Sequence, residues 1–387
     1  MKLEQWPVKS LGELCTVVNG GTPKSKISEY WGDDVNWITP AEMGKMNTPY
    51  IDSTNRKITE LGLQKSSAKL FPPHSVILST RAPIGHLAIN TSPMSTNQGC
   101  KTLIPNDELE HKYLYYFLHY NKELLDSLGK GTTFKELSGK SLKSVEIPLP
   151  LLKEQQQIVS IIDETFDRVE SSIESLQTKL RGIEQLYSNY RSSTFDEIQK
   201  THENQNLPNI CESIFAGGDK PKDNFSKFKT DEFPVPIFSN GRKDKGLFGY
   251  TDVGRVHKKC ITISARGTIG YSEIREPNFL PIVRLIVAIP KTDVILVEYL
   301  KHFFDYKNFS NTGSSIPQLT IPMVKQYIVP LPSLSDQKEI SSKLDDMLEQ
   351  TEKITRLIEI ELESFEELKQ SILQKAFSGE LTGGITA

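Results

Sequence analysis

The sequence repeats itself once, and the two copies lie about 182 to 186 residues apart. Residues 79–85 read STRAPIG, and residues 264–270 read SARGTIG. Further on, residues 112–120 read KYLYYFLHY, and residues 298–306 read EYLKHFFDY. A period this long indicates a duplicated domain with its connector, because solenoid repeats measure roughly 20–50 residues. The chain should therefore present two similar but non-identical surfaces, which is typical of a two-part reader.

Two proline-rich segments divide each copy into a domain and a connector. Residues 147–150 read IPLP and precede Gln155, while residues 329–332 read VPLP and precede Gln337. A helix is expected to begin just after each of these stops. We therefore predict four segments: a domain over 1–152, a helix over 153–200, a second domain over 201–334, and a helix with a tail over 335–387.

Composition places the chain in a broad class. With 387 residues, of which 37% are hydrophobic, it is long enough for two to three domains, each with its own core. No apolar run approaches the roughly 18 residues of a membrane span, and we expect no signal peptide. The cysteines are far apart, which favours buried free thiols in a reducing cytoplasm over zinc ligands or disulfides. They are Cys15, Cys100, Cys211 and Cys260.

Charge is unevenly distributed along the chain. Residues 1–152 and 201–334 carry an excess of Lys and Arg, whereas residues 153–200 and 335–387 carry an excess of Asp and Glu. The domains could therefore face an anion, and the acidic connectors suit a protein partner better than phosphate. The alternative is that helices simply carry more Glu, so both interpretations stay open.

The connectors show the heptad repeat of a coiled coil, with apolar residues at alternating steps of four and three. The first series starts at Ile162 and continues through Phe166, Val169, Ile173, Leu176, Leu180, Ile183, Tyr187 and Tyr190. The second consists of Ile340, Leu344, Met347, Thr351, Ile354, Ile358, Phe365, Leu368 and Ile372. A lone helix would expose such a stripe, so we predict that the two helices pack on each other. The alternative is that each helix lies on its own domain.

The two domains are predicted to be of mixed α+β structure. Short β-rich runs at 75–79, 260–264 and 283–289 are separated by clusters of Gly, Pro, Asn and Asp. A short amphipathic helix is predicted around 113–121, and its copy around 299–308. The two copies differ most in their insertions, which cover 25–70 and 223–257. Different specificities are expected to lie in these two stretches.

A search of the sequence for catalytic motifs gives no candidate. There is no Gly-rich phosphate loop with the required spacing and no Asn-Pro-Pro-Tyr or Asp-Pro-Pro-Tyr sequence. The segment 39–42, TPAE, does not replace the latter. His74 and His86 are isolated, which is more typical of structural histidines. We therefore predict a protein without catalytic, cofactor-binding or metal-binding residues of its own.

A set of ordered motifs resembles the specificity subunit of type I restriction-modification systems. They are the paired (S/T)xRxxIG segments, the loops GTTFKEL (131–137) and GSSIPQL (313–319), the PLPxxxxQ helix starts and the C-terminal LKQSILQKAFSGEL (368–381). The resemblance covers essentially the whole chain. It implies two target-recognition domains separated by two long helices that pack as an antiparallel coiled coil, with pseudo-two-fold symmetry. It also implies binding to a bipartite, asymmetric site in double-stranded DNA, one half per domain.

The resemblance assigns the chemistry to partner subunits. Two modification subunits would bring S-adenosylmethionine and methylate adenine, and restriction subunits would bring ATP hydrolysis, with Mg, and DNA cleavage. This chain would bind none of these cofactors. Its helices would set the gap between the half-sites.

If DNA is the ligand, phosphate contacts need cations and small polar groups, and base readout needs forked Arg, Asn or Gln. Arg81 and Arg266 are the best candidates, because they occupy equivalent positions near a Gly. The alternative for both is a structural Arg that pairs with a carboxylate, and the alternative for 242–245 is a solvated turn. The candidates are Lys24, Thr80, Arg81, Asn97, Gln98, Lys101, Lys220, Lys222, Asn240, Arg242, Lys243, Lys245 and Arg266.

Two other classes of protein remain as alternatives. One is a non-catalytic scaffold or adhesin-like protein, in which paired domains on a coiled coil bind a partner other than nucleic acid. The absence of salt-dependent DNA binding would favour it. The other is an enzyme with an unfamiliar site.

Overall fold

The computed structural model describes residues 6–131, 135–307 and 318–382. The chain forms two compact units. Unit 1 comprises Met1–Ser175 and Glu361–Ala387, and unit 2 comprises Leu176–Ile360. Each unit therefore contains one copy of the duplicated domain together with a part of both long helices. Within the described ranges, no helix combines the length and apolar character that a membrane crossing requires.

The first domain is built from short strands and helices, and the first long helix follows it. The strands are β1 (Val8–Ser10), β2 (Cys15–Asn19), β3 (Trp31–Ile38), β4 (Tyr50–Ile51), β5 (Lys57–Ile58), β6 (Val76–Ser79), β7 (Leu87–Asn90), β8 (Met94–Thr96), β9 (Cys100–Pro105) and β10 (Glu146–Pro148). The helices are α1 (Leu11–Leu14), α2 (Pro40–Met43), α3 (Glu60–Gln64), α4 (His111–Tyr120), α5 (Lys122–Ser127), α6 (Gly139–Lys143) and α7 (Leu152–Thr201).

The second domain repeats this plan, and the second long helix follows it. The strands are β11 (Asn204–Asn206), β12 (Cys211–Ala216), β13 (Val235–Phe238), β14 (Leu247–Thr251), β15 (Cys260–Ile263), β16 (Ser272–Arg275), β17 (Leu280–Pro281), β18 (Ile286–Pro290) and β19 (Ile328–Pro330). The helices are α8 (Leu207–Ile210), α9 (Val297–Lys307), α10 (Ile321–Lys325) and α11 (Leu334–Ser378).

The sheets of the two domains have corresponding topologies. Unit 1 contains a five-stranded sheet of order β2-β9-β6-β7-β4, a three-stranded sheet of order β5-β3-β8, and the antiparallel pair β1-β10. Unit 2 contains a four-stranded sheet of order β12-β18-β15-β16, a three-stranded sheet of order β14-β13-β17, and the antiparallel pair β11-β19. In both domains, the middle strand of the three-stranded sheet pairs in parallel with a strand that follows it much later in the sequence.

The central strand β6 shows why its sequence is an unbroken apolar run. Val76 and Leu78 point into the core formed with α4 and the long helices, whereas Ile77 belongs to a second core with Ile38 and Phe71. Successive side chains of a strand point to opposite faces, so a strand with a core on each side has no polar positions.

The two long helices pack on each other, as predicted. In unit 1 the first part of α7 lies beside the last part of α11, where Lys369 forms an ion pair with Glu170 at 2.5 Å. In unit 2 the end of α7 and the beginning of α11 share one core, which contains Phe195 and Leu344. The order of the paired segments is reversed, so the packing is antiparallel. Both helices also contact the domains, since Ile162 is in the core of unit 1.

Three predicted seam residues lie elsewhere in the structure. Ile354 and Leu368 are 45% and 42% exposed, and Tyr190 is 38% exposed. From Leu344 the inward positions keep a strict alternation of four and three, which places Thr355 and Lys369 on the inner side instead. The prediction chose the apolar neighbour at each of these points, but helix geometry fixes the side on which a residue lies.

One predicted strand begins later than the sequence indicated. The run 283–289 was expected to be extended throughout, yet β18 starts at Ile286. Val283 and Arg284 have φ values of 51° and 61°, and Leu285 N donates to Ile282 O at 3.1 Å. These residues form a tight turn with positive φ, a backbone conformation that a β-branched residue such as Val283 rarely adopts. The predicted helix copy around 299–308 ends in the described range at Lys307.

Candidate nucleic-acid interface

The repeated glutamine fastens each long helix to a domain. Gln155 is fully buried; its Nε2 donates to Glu108 O and Pro150 O at 2.9 Å, and its Oε1 accepts from Glu110 N at 2.9 Å. Gln337 makes the same three bonds at 2.8 to 3.1 Å, to Val294 O, Pro332 O and Leu296 N. Each glutamine side chain bonds only backbone atoms of its own domain and helix start, so the role of this motif is structural.

A second repeated contact joins the short domain helix to the long helices. Tyr113 Oη donates to Pro148 O at 3.0 Å, and its ring lies 5.2 Å from that of Phe377. In unit 2, Tyr299 Oη donates to Pro330 O at 2.9 Å, and its ring lies 5.4 Å from that of Phe195. The C-terminal phenylalanine of each copy therefore completes the aromatic core of a recognition domain.

The two repeated arginines lie where two sequence motifs meet. Arg81 Nε is 3.0 Å from Glu136 Oε2, and Leu137 N donates to Thr80 O at 2.8 Å. In unit 2, Arg266 Nη2 donates to Gln318 Oε1 at 3.0 Å, and the adjacent Leu319 N donates to Ala265 O at 2.9 Å. Residues 132–134 and 313–317 of the second motif lie outside the described residues.

The structure is compatible with both interpretations of these arginines, a DNA contact and a structural pairing with a carboxylate. Arg81 does pair with a carboxylate, yet its side chain remains 49% exposed. Exposed ion pairs contribute only about 0 to 1 kcal/mol, so a phosphate can replace Glu136 at little cost. Arg266 is exposed, and its partner among the described residues is the neutral amide of Gln318.

The other candidates of the first domain divide into surface and interior residues. Lys24 and Gln98 are exposed, and Gln98 accepts a hydrogen bond from the Thr22 hydroxyl. Thr80 is buried with its hydroxyl on Gly99 O at 3.3 Å. The remaining two are placed as follows: Asn97 Oδ1 accepts from Gly99 N at 3.0 Å, and Lys101 is only 7% exposed.

Lys101 has an unusual electrostatic environment for a lysine. Burial lowers its pKa, Glu136 opposes this effect, and Arg81 reinforces it. Lys101 and Arg81 thus share the single carboxylate of Glu136.

We call the loop over 80–86, which contains Arg81, the first arginine loop, and the loop over 264–271, which contains Arg266, the second arginine loop. A cavity of about 510 Å³ opens next to the first arginine loop. It lies between α2 and the loop after β6. Burial and the nearby Lys122 lower the pKa of His86 in its wall, so this ring is neutral at neutral pH. Its lining comprises Thr39, Pro40, Ala41, Gly44, Lys45, Ala82, Pro83, His86 and Asn97.

In the second domain, the segment that follows β13 is a turn, and it lies against the second arginine loop. Asn240 Oδ1 accepts from Ala265 N at 2.7 Å, and its Nδ2 donates to Val283 O at 2.8 Å. Gly241 N donates to Ser264 Oγ at 3.1 Å. The turn is thereby held against two other loops of the domain.

The basic residues of this turn have different surroundings. The Arg242 guanidinium lies 5.5 Å from the Tyr271 ring, and Lys245 Nζ is 3.1 Å from Glu273. Lys243 is exposed. The backbone of the turn is anchored, but Arg242, Lys243 and Lys245 are exposed, so both interpretations of 242–245 stay open.

A lysine-rich loop extends the same surface. Lys220 Nζ lies 5.1 Å above the Phe225 ring, and Lys227 Nζ lies 4.4 Å above the Phe248 ring. Lys222 is exposed in the same loop. Phe248 belongs to β14, which directly follows the basic turn in the chain, so the loop packs next to the turn. The loop carries four lysines and four acidic residues over 217–234, so its charge is mixed.

Comparison with known proteins agrees with this organisation. The family described as the type I restriction modification DNA specificity domain matches residues 3–185 and 199–364, and so covers both copies. This chain belongs to that family.

Individual specificity subunits resemble the chain to different extents. It is 37% identical to the type I restriction enzyme MjaIX specificity subunit of Methanocaldococcus jannaschii over 48% of this chain and 44% of that protein. It is 30% identical to the putative type I specificity subunit S.MpnORF507P of Mycoplasma pneumoniae over 72% of this chain and 75% of that protein. The chain thus spans less than half of the first of these relatives.

Two solved structures share the fold. A chain from a study of complex assembly and conformational transition of the type I R-M system matches with a TM-score of 0.80 and 19% identity, over 98% of this chain and 100% of that one. The HsdS subunit from Thermoanaerobacter tengcongensis matches with a TM-score of 0.62 and 18% identity, over 97% of each chain. These are likenesses of fold.

The sequence analysis did not include several exposed residues of the two domains among its candidates. Lys45 lines the cavity of the first domain, and Lys227, Phe228 and Lys229 belong to the loop of the second. The alternation of Lys and Phe over 227–229 was the available signal for the latter. In the parts of the chain that the structure describes, no group of three or more His, Cys, Asp or Glu is arranged to hold a metal ion.

The four cysteines are free and buried, as the sequence predicted. Burial raises the pKa of each thiol to about 12. Thiolates are the reactive form of cysteine, so these side chains act as small apolar groups in the cores.

Proposed function

We propose that this chain is the DNA sequence-specificity subunit of a type I restriction-modification complex. Each recognition domain would bind one half of a bipartite, asymmetric site in double-stranded DNA. The observation that carries the proposal is the family match to both copies. The equivalent placement of Arg81 and Arg266 at exposed edges of the two domains supports it.

The positively charged loops favour DNA as the ligand. Phosphate contacts supply most of the affinity of such proteins, and they require cations that are not already neutralised. The second domain offers Arg242 and Lys243 in its turn, and Lys220 and Lys222 in the loop before β13, whereas Lys245 pairs with Glu273. In the first domain, Lys24, Arg81 and Gln98 are the surface candidates.

The chemistry would belong to partner subunits in the cytoplasm. Two modification subunits would bind S-adenosylmethionine and methylate adenine, and restriction subunits would use ATP and Mg to translocate and cleave DNA. This chain would bind none of these cofactors and would act by positioning its partners on the DNA.

The long helices offer a surface for the modification subunits. In unit 2, Leu186, Leu357 and Ile360 are each more than half exposed, although they lie on helices whose inner sides are already packed. The helical segments are acidic as well. Apolar residues with a charged surround are typical of a protein-binding surface, and acidic residues would keep DNA away from it.

Mapping of methylated adenines tests the proposal. The chain would be co-expressed with the modification subunit encoded beside it, and methylated positions would be read genome-wide by single-molecule sequencing. We expect a bipartite motif with a fixed gap that disappears when this chain is omitted. A complex that assembles but yields no chain-dependent motif would contradict the proposal and favour a scaffold with a non-nucleic-acid partner.

Variants of the two arginines provide a matched pair within this experiment. Arg81→Gln should weaken recognition at one half-site, and Arg266→Gln should weaken it at the other. Arg168, an exposed arginine of α7 in an ion pair with Glu164, provides the control as Arg168→Gln. If both arginine-loop variants methylate the unchanged motif at the normal rate, these side chains do not contact DNA.

A further inference from the structure

Phe228 is the most exposed aromatic side chain in the part of the chain that the structure describes, with 79% of its surface accessible. It lies between Lys227 and Lys229, in the loop that joins β12 to β13. Single exposed apolar residues are common on proteins. Phe228 differs from such cases in the rigidity of its support and in the charge around it.

The backbone beneath Phe228 is fixed to the sheet. Ser226 N donates to Tyr250 O and Tyr250 N donates to Ser226 O, both at 2.8 Å, and Phe228 N donates to Ser226 Oγ at 3.1 Å. A Cβ at Gly249 would lie 2.5 Å from Ser226 O, so this close approach requires glycine. The loop is therefore an anchored extension of β14.

An aromatic pair with two lysines supports the loop from below. The rings of Phe225 and Phe248 are 5.8 Å apart, and Lys220 and Lys227 lie over them. Among the described residues, neither these two lysines nor Lys229 forms an ion pair with a carboxylate. Lys227 and Lys229 flank Phe228 directly and can contact a polyanion there, while the acidic residues Asp231 and Glu232 lie further along the same loop.

The corresponding loop of the first domain lacks this feature. It joins β2 to β3 and also contains two lysines, Lys24 and Lys26, but the apolar residue that follows them, Ile27, is half-buried. The loop of the second domain is longer and carries its aromatic residue outward. The device therefore belongs to one of the two recognition domains.

We propose that Phe228 inserts as an apolar wedge at a base step of the DNA bound by the second domain. Lys227 and Lys229 contact the phosphates that flank the opened step. The inference rests on the proposed function and adds the way in which one half of the site is recognised. Such insertion costs a few kcal/mol of stacking and is easiest at flexible pyrimidine–purine steps. The second domain should therefore select a deformable step without hydrogen bonds to its bases.

The test uses the assembled methyltransferase complex and duplexes that contain its mapped site. 2-Aminopurine placed at successive positions reports local unstacking by an increase in fluorescence, and energy transfer between labelled duplex ends reports bending. The variants are Phe228→Ala and Phe228→Trp, with Val253→Ala as a control, since Val253 is another exposed apolar residue of this domain.

We expect the original complex to unstack one step in the second half-site and to bend the DNA there. Phe228→Ala should lose both signals and bind about 10-fold more weakly, because the contact between the aromatic ring and the opened base step is lost. Phe228→Trp should keep both signals, and Val253→Ala should behave as the original. The Tm should be the same for all four proteins, which shows that the fold is unaffected.

Three results would overturn the wedge. Unchanged unstacking and bending in Phe228→Ala would do so, as would a lowered Tm in that variant. A loss of affinity that depends on a single thymine, without a change in bending, would show that Phe228 contacts a thymine methyl group instead. These outcomes presuppose a chain-dependent site; if the original complex has none, the proposed function itself is wrong.

Discussion

His302 and Tyr116 occupy equivalent positions of the duplication, and each binds an aspartate of a long helix with different chemistry. Tyr116 Oη donates to Asp163 Oδ1 at 2.6 Å, and His302 Nε2 lies 2.9 Å from Asp345 Oδ1. His302 is buried, and its Nδ1 has no hydrogen-bond partner among the described residues. Burial lowers the pKa of His302, and Asp345 opposes this effect.

Protonation of His302 should therefore make the stability of unit 2 depend on pH. The folded state keeps His302 neutral, whereas the unfolded chain takes up a proton below about pH 6.5. The stabilisation is present above that pH and decreases as the pH falls toward the lower pKa of the folded state. Asp305 raises this pKa and Lys301 lowers it, so both set where the decrease ends.

Calorimetry at about pH 7.5 and about pH 5.5 measures this dependence. His302→Gln should reduce the difference in Tm between the two conditions. The control is Tyr116→Phe, which removes a hydrogen bond that does not titrate in this range and should lower the Tm equally at both. An unchanged pH dependence in His302→Gln would assign it to other groups.

At the scale of elements, each long helix carries in its first turn a glutamine that joins it to a domain. Gln155 and Gln337 are fully buried, and each makes three hydrogen bonds to backbone atoms of its domain. Replacement by alanine leaves buried backbone groups without partners, which costs about 1 to 3 kcal/mol for each such group.

We expect Gln155→Ala to lower the free energy of unfolding of unit 1 by about 3 kcal/mol, and Gln337→Ala to do the same in unit 2. Urea denaturation followed separately for the two units measures the loss. Gln156 is exposed one residue further along α7, and Gln156→Ala should change stability by less than about 0.5 kcal/mol. A loss below about 1 kcal/mol at Gln155 would show that the bonds are replaced by water.

The length of the long helices gives a prediction about the gap in the DNA site. Inserting four residues within 165–190 lengthens that helix by about 6 Å, close to two base-pair steps of about 3.4 Å. We expect a longer gap in the methylated motif and unchanged half-sites. Four substitutions at exposed positions of the same stretch should leave the gap as it was. An insertion that altered the half-site bases would contradict the role of the helices as a spacer.

At the scale of the whole molecule, the long helices distribute each sequence copy over both compact units. Unit 1 contains the first domain and the end of α11, where Phe377 packs on Tyr113, Phe117 and Tyr120. Neither sequence copy therefore corresponds to one compact unit. A domain transplanted from a relative must bring aromatic residues that fit this C-terminal segment.

Exchange of residues 1–150 for those of another family member should replace one half-site of the methylated motif and leave the other unchanged. The control chimera carries Phe377→Ala and should lose stability, because the partly buried Phe377 ring packs on three aromatic rings of the first domain. Loss of both half-sites from a stable chimera would contradict independent recognition by the two domains.

The sequence by itself determined the features that follow from local periodicity. The heptads predicted two long helices that pack together, because a helix with an apolar stripe must cover it. The repeated motifs predicted two similar α+β domains. Both inferences need only residues that are close in sequence or identical in pattern.

The tertiary structure decided which residues of these patterns are inside. Thr355 and Lys369 face inward where the sequence favoured Ile354 and Leu368, since the angular position on a helix outweighs the polarity of one side chain. It also decided that Arg81 pairs with Glu136, which is about 55 residues later in the chain. In the second domain, it placed the turn after β13 against the loop that contains Arg266. Strand pairing between distant segments produces these contacts, and no local pattern specifies it.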